Sequence, residues 1–159
     1  MQLPSIQFLL WALPLFICIH VVEEFGYPGG FVRWMKSHNA RRIKGTFYYV
    51  AVNAAAILAG FILALTASGT IAYVAFFWFA AFLATNGLSH VIASAQEKTY
   101  CPGSVTGVFL FWPLLIASWL RLSSDGLINS QSLTLNAASG FIVAYFFFSV
   151  HRRRKAEQA

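Results

Sequence analysis

The amino-acid sequence predicts an all-helical bundle that crosses a membrane five times as a single domain. Two observations favour this fold. Hydrophobic residues make up 58% of the chain and charged residues only 10%, whereas soluble domains have about 45–50% and about 25%. The apolar residues also fall into long runs, and at about 1.5 Å per residue each run can cross a hydrocarbon core about 30 Å thick. The predicted spans are residues 4–24, 46–67, 71–95, 104–120 and 133–150.

The segments between the spans are polar, basic or rich in turn residues. A glycine-rich basic loop covers residues 25–45, and Ser68-Gly69-Thr70 forms a tight turn. Residues 96–103 form a polar turn that contains Pro102-Gly103, and residues 121–132 form a polar loop. A basic tail at 151–159 follows the last span.

Lysine and arginine residues predict the orientation of the bundle. Ten of the eleven lie in the 25–45 loop, the 96–103 turn and the tail, and Arg121 is the exception. With five spans these three segments lie on one side, which the positive-inside rule assigns to the cytoplasm. The sequence therefore predicts an outside N-terminus, a cytoplasmic C-terminus and a location in the inner cell membrane. The net charge of +6 follows from this topology, and we expect no nucleic-acid partner.

The strongest chemical signal is His20-Val21-Val22-Glu23-Glu24, at the end of the first span. Residues three and four apart share a helix face, so His20 points the same way as Glu23 and Glu24. Ionisable groups in a membrane span indicate a functional site. Carboxylates are also disfavoured at a helix C-terminus. A metal ion, a substrate cation, a proton or a basic side chain must therefore balance them.

The third span carries a matching polar stripe. Asn86, His90 and Glu97 recur at helical spacing, and His90 lies at about the same predicted depth as His20. We therefore expect the His20 and His90 side chains within about 8 Å of each other, the reach of two ligands on one metal. Polar residues at similar depth on the second and fifth spans would close this layer, namely Asn53 and Tyr145.

Two blocks of the sequence resemble a known family. The first is the five-residue motif followed by Tyr27-Pro28-Gly29 and Phe31. The second consists of Asn86, His90, Tyr100, Pro102, Gly103 and Thr106. Together they resemble the HXXEE-domain family of small bacterial membrane proteins, whose function is undefined. The resemblance supports these residues as a site but implies no reaction. Cys101 departs from the Tyr-Pro-Gly run expected there.

Histidine and carboxylate side chains on facing helices are how helical bundles build metal sites. The mixture present here suits zinc or iron. We predict the ligands His20, Glu23, Glu24 and His90, with Glu24 the better ligand and Glu23 a candidate general base. Five further residues would contact either these ligands or the substrate: Asn53, Asn86, Glu97, Tyr100 and Tyr145. Arg33 and Lys36 suit contact with a phosphate headgroup.

These residues predict a metal-dependent membrane enzyme, a hydrolase or oxidoreductase, that acts on a lipid or another hydrophobic substrate at the cytoplasmic leaflet. Other functions stay open. The same residues suit a metal-free isomerase or cyclase that transfers protons on an isoprenoid or sterol-like lipid. A small-molecule binding or transport protein is another alternative, although no polar path crosses the predicted spans. A purely structural role for the polar residues also stays open, with Glu23 and Glu24 paired to basic loop residues.

Overall fold

The computed structural model describes residues 3–26, 30–38 and 45–149, without the side chains at 144 and 146–149. The predicted tail at 151–159 and the last residue of the fifth run lie outside the described residues. The described part is all-helical. Its helices are α1 (Ile6–Gly26), α2 (Gly30–His38), α3 (Thr46–Thr66), α4 (Gly69–Glu97), α5 (Ser104–Ser124) and α6 (Ser130–Ser149).

Four of these helices, α1, α3, α4 and α5, are long and apolar enough to cross a membrane. Their outer faces carry large apolar side chains, such as Phe47 with 84% and Ile71 with 88% of its surface exposed. An apolar surface of this extent would be a liability in water and suits contact with lipid. The helices therefore indicate a membrane protein. The fifth predicted run corresponds to α6, which packs against α4.

The predicted loop at 25–45 contains the short helix α2, which the sequence analysis did not anticipate. Its polarity is strongly divided between two faces, because Gly30 and Val32 are buried whereas Arg33 and Lys36 are exposed. Nine residues are too few to cross a membrane. Since α2 packs against α1, it lies at the end of the bundle where α1 finishes.

Small residues allow the spanning helices to approach closely. A Cβ atom built on Gly87 of α4 would lie 2.4 Å from the Cα of Gly107 of α5. Likewise, a Cβ on Gly60 of α3 would lie 3.2 Å from Pro14 of α1. Gly107 also begins a π-helical segment, Gly107–Phe111, within α5, and such segments are frequent at functional sites. The first turn of α5 is thereby placed against α4.

The buried apolar core ends where a buried polar layer begins. Leu13 and Ile17 of α1 and Ala84 of α4 are almost fully buried. Further along, the buried positions include His20 on α1 and, after Gly87, His90 on α4. The helical repeat that builds the core therefore also points these two histidines into the bundle.

Candidate metal centre

Three buried side chains converge at this end of the bundle: His20 and Glu24 of α1 and His90 of α4. They are only 1%, 4% and 3% exposed. The Nε2 atoms of His20 and His90 lie 3.4 Å and 3.1 Å from Glu24 Oε1. One ligand atom from each residue lies within 4.8 Å of the other two. The two imidazole centroids are 5.4 Å apart, which confirms that the histidines share one layer.

Contacts on both nitrogens fix the His20 ring. Its Nδ1 lies 2.7 Å from the Thr106 hydroxyl, and its Nε2 lies 3.2 Å from the Asn86 amide nitrogen. The Phe111 ring packs against it with centroids 4.9 Å apart. Asn86 therefore lies beside the three-residue group, in contact with His20.

His90 has a similar arrangement. Its Nε2 faces Glu24, and its Nδ1 lies 3.4 Å from the sulfur of buried Cys101. The Phe31 ring of α2 lies against the imidazole at a centroid distance of 4.8 Å. In both histidines one nitrogen faces the carboxylate and the other meets a polar partner, as is typical of metal-binding histidines.

The second oxygen of Glu24 has its own donor. The Asn53 side-chain amide of α3 donates a hydrogen bond of 3.0 Å to Glu24 Oε2. Oε1 therefore remains directed at the two imidazoles. Asn53 of α3 therefore lies next to the three-residue group, in contact with Glu24.

Glu23 lies apart from the three-residue group. Its carboxylate accepts backbone hydrogen bonds from Gly103 (2.9 Å), Val105 (3.0 Å) and Thr106 (2.7 Å). It also accepts a hydrogen bond from the Tyr100 hydroxyl. The N–H groups at the start of a helix lack intrahelical partners and attract anions. The sequence suggested that Glu23 is a metal ligand or a general base. In the structure it lies outside the three-residue group and anchors the start of α5 to α1.

The backbone of Gly103 lies directly against both imidazoles. Its φ is +97°, in the region that favours glycine. A Cβ atom built there would lie 2.9 Å from Cε1 of His20 and 3.0 Å from Cε1 of His90. The position therefore requires glycine for two independent reasons.

The remaining predicted residues lie further out. Glu97 is the half-exposed last residue of α4, outside the three-residue group. Tyr145 of α6 is 61% exposed, which places it at the surface of the bundle. Arg33 and Lys36 are exposed on α2, where a headgroup could reach them.

Residues 11–118 match the family described as "Protein of unknown function with HXXEE motif". The chain belongs to the HXXEE family. No curated protein and no solved structure matches it. The HXXEE match extends from α1 into α5 and so contains every residue of the candidate centre.

The three named residues of the HXXEE motif have two different sets of partners in the structure. His20 and Glu24, four residues apart, share the face that meets His90. Glu23 precedes Glu24 by one residue and is rotated about 100° around the helix, so it meets the start of α5 instead. One carboxylate therefore belongs to the candidate metal centre and the other fixes the helix that covers it.

Sequence reasoning assigned no role at the site to Cys101, Gly103 or Thr106 beyond a turn and a family resemblance. A usable signal was present. The polar turn ends in Pro102-Gly103 directly before an apolar run, which places unpaired backbone N–H groups where a carboxylate can bind them. Two carboxylates on a neighbouring span were the obvious partners.

Proposed function

We propose that this HXXEE protein is a membrane enzyme that binds a divalent metal, zinc or iron, through His20, Glu24 and His90. One observation carries the proposal: two imidazole nitrogens and a carboxylate oxygen converge in a buried layer. Two histidines and a glutamate bind zinc in hydrolases, and two histidines and a carboxylate bind iron in oxygenases. Both arrangements leave coordination positions open for a substrate or water.

Charge balance supports a cation between these residues. Glu24 is buried near the C-terminal end of α1, where the helix dipole disfavours negative charge. Buried carboxylates need a compensating partner. Among the described residues, the ion-pair contacts of Glu24 are with the two imidazoles. A divalent metal would supply the missing positive charge, together with Lewis-acid chemistry that polarises a substrate oxygen or activates water.

The surroundings favour a lipid or another hydrophobic substrate. The ligands lie within spanning helices and are shielded from water, and α2 covers His90 through Phe31. Trp34 of α2 also donates a hydrogen bond of 3.2 Å to Thr99, just after α4. Exposed Arg33 and Lys36 on this helix suit the phosphate of a lipid headgroup. A substrate would therefore reach the metal from the membrane surface beside α2.

The proposed topology has five spans, an outside N-terminus and a cytoplasmic C-terminus in the inner cell membrane. Adding α6 to the four long apolar helices gives five spans. In this arrangement the end of α1, helix α2, the end of α4 and the start of α5 share one side. The basic segments in the sequence assign that side to the cytoplasm, so the centre would open toward the cytoplasmic leaflet.

A second candidate is a metal-free isomerase or cyclase that transfers protons on an isoprenoid or sterol-like lipid. The observation in its favour is the direct approach of both imidazoles to Glu24, at 3.1 Å and 3.4 Å. A carboxylate beside an imidazole can exchange protons with a substrate. Loss of activity in site variants does not separate the two mechanisms, but the metal content does.

The test is elemental analysis of the protein purified in detergent, together with identification of the lipids extracted from it. We expect about one zinc or iron per chain, by analogy with other mononuclear sites. Glu24→Gln and His90→Gln should remove most of it. His38→Gln is the matched control, because His38 stacks on Trp34 of α2 and lies outside the ligand group. Folded wild-type protein that takes up neither metal, or that keeps its activity in chelator, would refute the metal enzyme in favour of proton transfer.

A further inference from the structure

Thr106 connects the two carboxylates of the motif through His20. Its backbone N–H donates to Glu23 at 2.7 Å, and its hydroxyl lies 2.7 Å from His20 Nδ1. On the far side of the ring, His20 Nε2 lies 3.4 Å from Glu24 Oε1. A continuous series of polar contacts thus runs from Glu23 to Glu24.

A hydroxyl can donate or accept a hydrogen bond. The contact of Thr106 with His20 Nδ1 therefore suits either tautomer of the imidazole, and the partner of the other ring nitrogen decides between them.

The contact at His20 Nε2 decides the tautomer. The Asn86 side-chain nitrogen lies 3.2 Å from His20 Nε2. An amide nitrogen donates and does not accept, so Nε2 must be the acceptor and carries no proton. The proton of neutral His20 therefore lies on Nδ1, which donates it to the Thr106 hydroxyl.

We propose that Thr106 is a positioning residue that holds His20 in the Nδ1-protonated tautomer, with Nε2 available as a metal ligand. This inference rests on the proposed metal centre. The unprotonated Nε2 faces an oxygen of Glu24, and two electron-rich atoms in that arrangement are stabilised by a cation between them. The hydrogen bond at one imidazole nitrogen sets which nitrogen binds metal.

The contact at His90 is weaker. Its Nδ1 meets the Cys101 sulfur at 3.4 Å, and a thiol is a poorer hydrogen-bonding partner than a hydroxyl. Thr106 therefore fixes the tautomer of His20 more strongly than Cys101 fixes that of His90. Replacing Thr106 should disturb the centre more than replacing Cys101.

The test uses the full chain labelled with nitrogen-15 in histidine, stripped with chelator and studied by NMR in a membrane mimetic. Nitrogen shifts distinguish a protonated from an unprotonated imidazole nitrogen. We expect His20 to carry its proton on Nδ1 in the wild type and in Thr106→Ser, which keeps the hydroxyl. Thr106→Val has nearly the same shape without the hydroxyl and should shift His20 toward the Nε2-protonated form. A wild-type His20 protonated on Nε2, or an unchanged tautomer in Thr106→Val, would overturn the inference.

Zinc titration of the same three proteins gives a second readout. Outer partners of metal-binding histidines change affinity by about 10–100-fold, so Thr106→Val should raise the zinc dissociation constant by that factor and Thr106→Ser by much less. If the wild type binds no metal while the tautomer behaves as expected, the proposed function fails and the positioning role stands. If the wild type binds zinc and the His20 tautomer is unchanged in Thr106→Val, the positioning role alone fails.

Discussion

Replacing Gly103 with alanine perturbs both histidines of the candidate centre through a single methyl group. The new Cβ would lie 2.9 Å from His20 Cε1, 3.0 Å from His90 Cε1 and 3.1 Å from His90 Nδ1. Real Cβ atoms essentially never come as close as the first of these distances, and the other two are tighter than ordinary van der Waals contact. The imidazoles are buried, so at least one of them must rotate away from Glu24 or the turn must move.

Gly103→Ala should lower the free energy of unfolding for two reasons. A non-glycine residue in the left-handed region loses about 1–2 kcal/mol. Insertion of a methyl group into a packed interior adds about 1–3 kcal/mol. Gly126→Ala separates these two effects, because Gly126 also has a positive φ of +64° but has no atom within 4 Å of the built Cβ. Gly126→Ala should therefore show the backbone effect alone.

The assay is thermal unfolding in detergent, followed by circular dichroism, with zinc binding measured on the same samples. We expect Gly103→Ala to unfold at a clearly lower temperature than Gly126→Ala and to bind zinc much more weakly. Gly126→Ala should bind zinc like the wild type. Equal melting temperatures and equal zinc affinities in the two variants would show that Gly103 does not press on the histidines as the structure indicates.

Three further substitutions test other contacts. Glu23→Gln weakens charge-assisted hydrogen bonds worth about 1.5–3 kcal/mol each, so it should lower the melting temperature yet retain more zinc than Glu24→Gln; equal zinc loss in the two would contradict the separate roles. Asn53→Leu leaves Glu24 Oε2 without its amide donor, so zinc affinity should fall about 10–100-fold, and an unchanged zinc titration would count against it. Gly87→Ala forces α4 and α5 apart and should lower the free energy of unfolding by about 1–3 kcal/mol or more. Gly45→Ala is the control, because the new methyl group meets nothing within 4 Å. Identical melting curves for the two variants would refute the close helix contact.

Hydrophobic patterning predicted most of the helices. Each of the first four predicted runs overlaps a long apolar helix, with ends shifted by a few residues. The reason is physical: a chain segment in lipid must satisfy its backbone hydrogen bonds internally, so a long apolar run has few alternatives to a helix. The helix α2 was missed because its apolar residues form a stripe on a short segment, a pattern that is hard to separate from a loop.

Part of the candidate centre was also readable from the sequence. The spacing of four residues put His20 and Glu24 on one helix face, and matched depth put His90 in the same layer. These relations depend on the helical repeat and on the thickness of the bilayer, and both can be counted in residues along the sequence.

Only the tertiary structure identified the partner of each carboxylate, Glu23 and Glu24. Both carboxylates follow His20 at spacings that share its helix face. The sequence therefore named both as ligands, with Glu24 the better ligand and Glu23 a candidate general base. The start of α5 packs against one side of α1, and its backbone N–H groups bind Glu23 at 2.7–3.0 Å. Glu24 faces His90 instead. Which carboxylate meets which partner depends on how neighbouring helices pack around α1, and no spacing along a single helix contains that information.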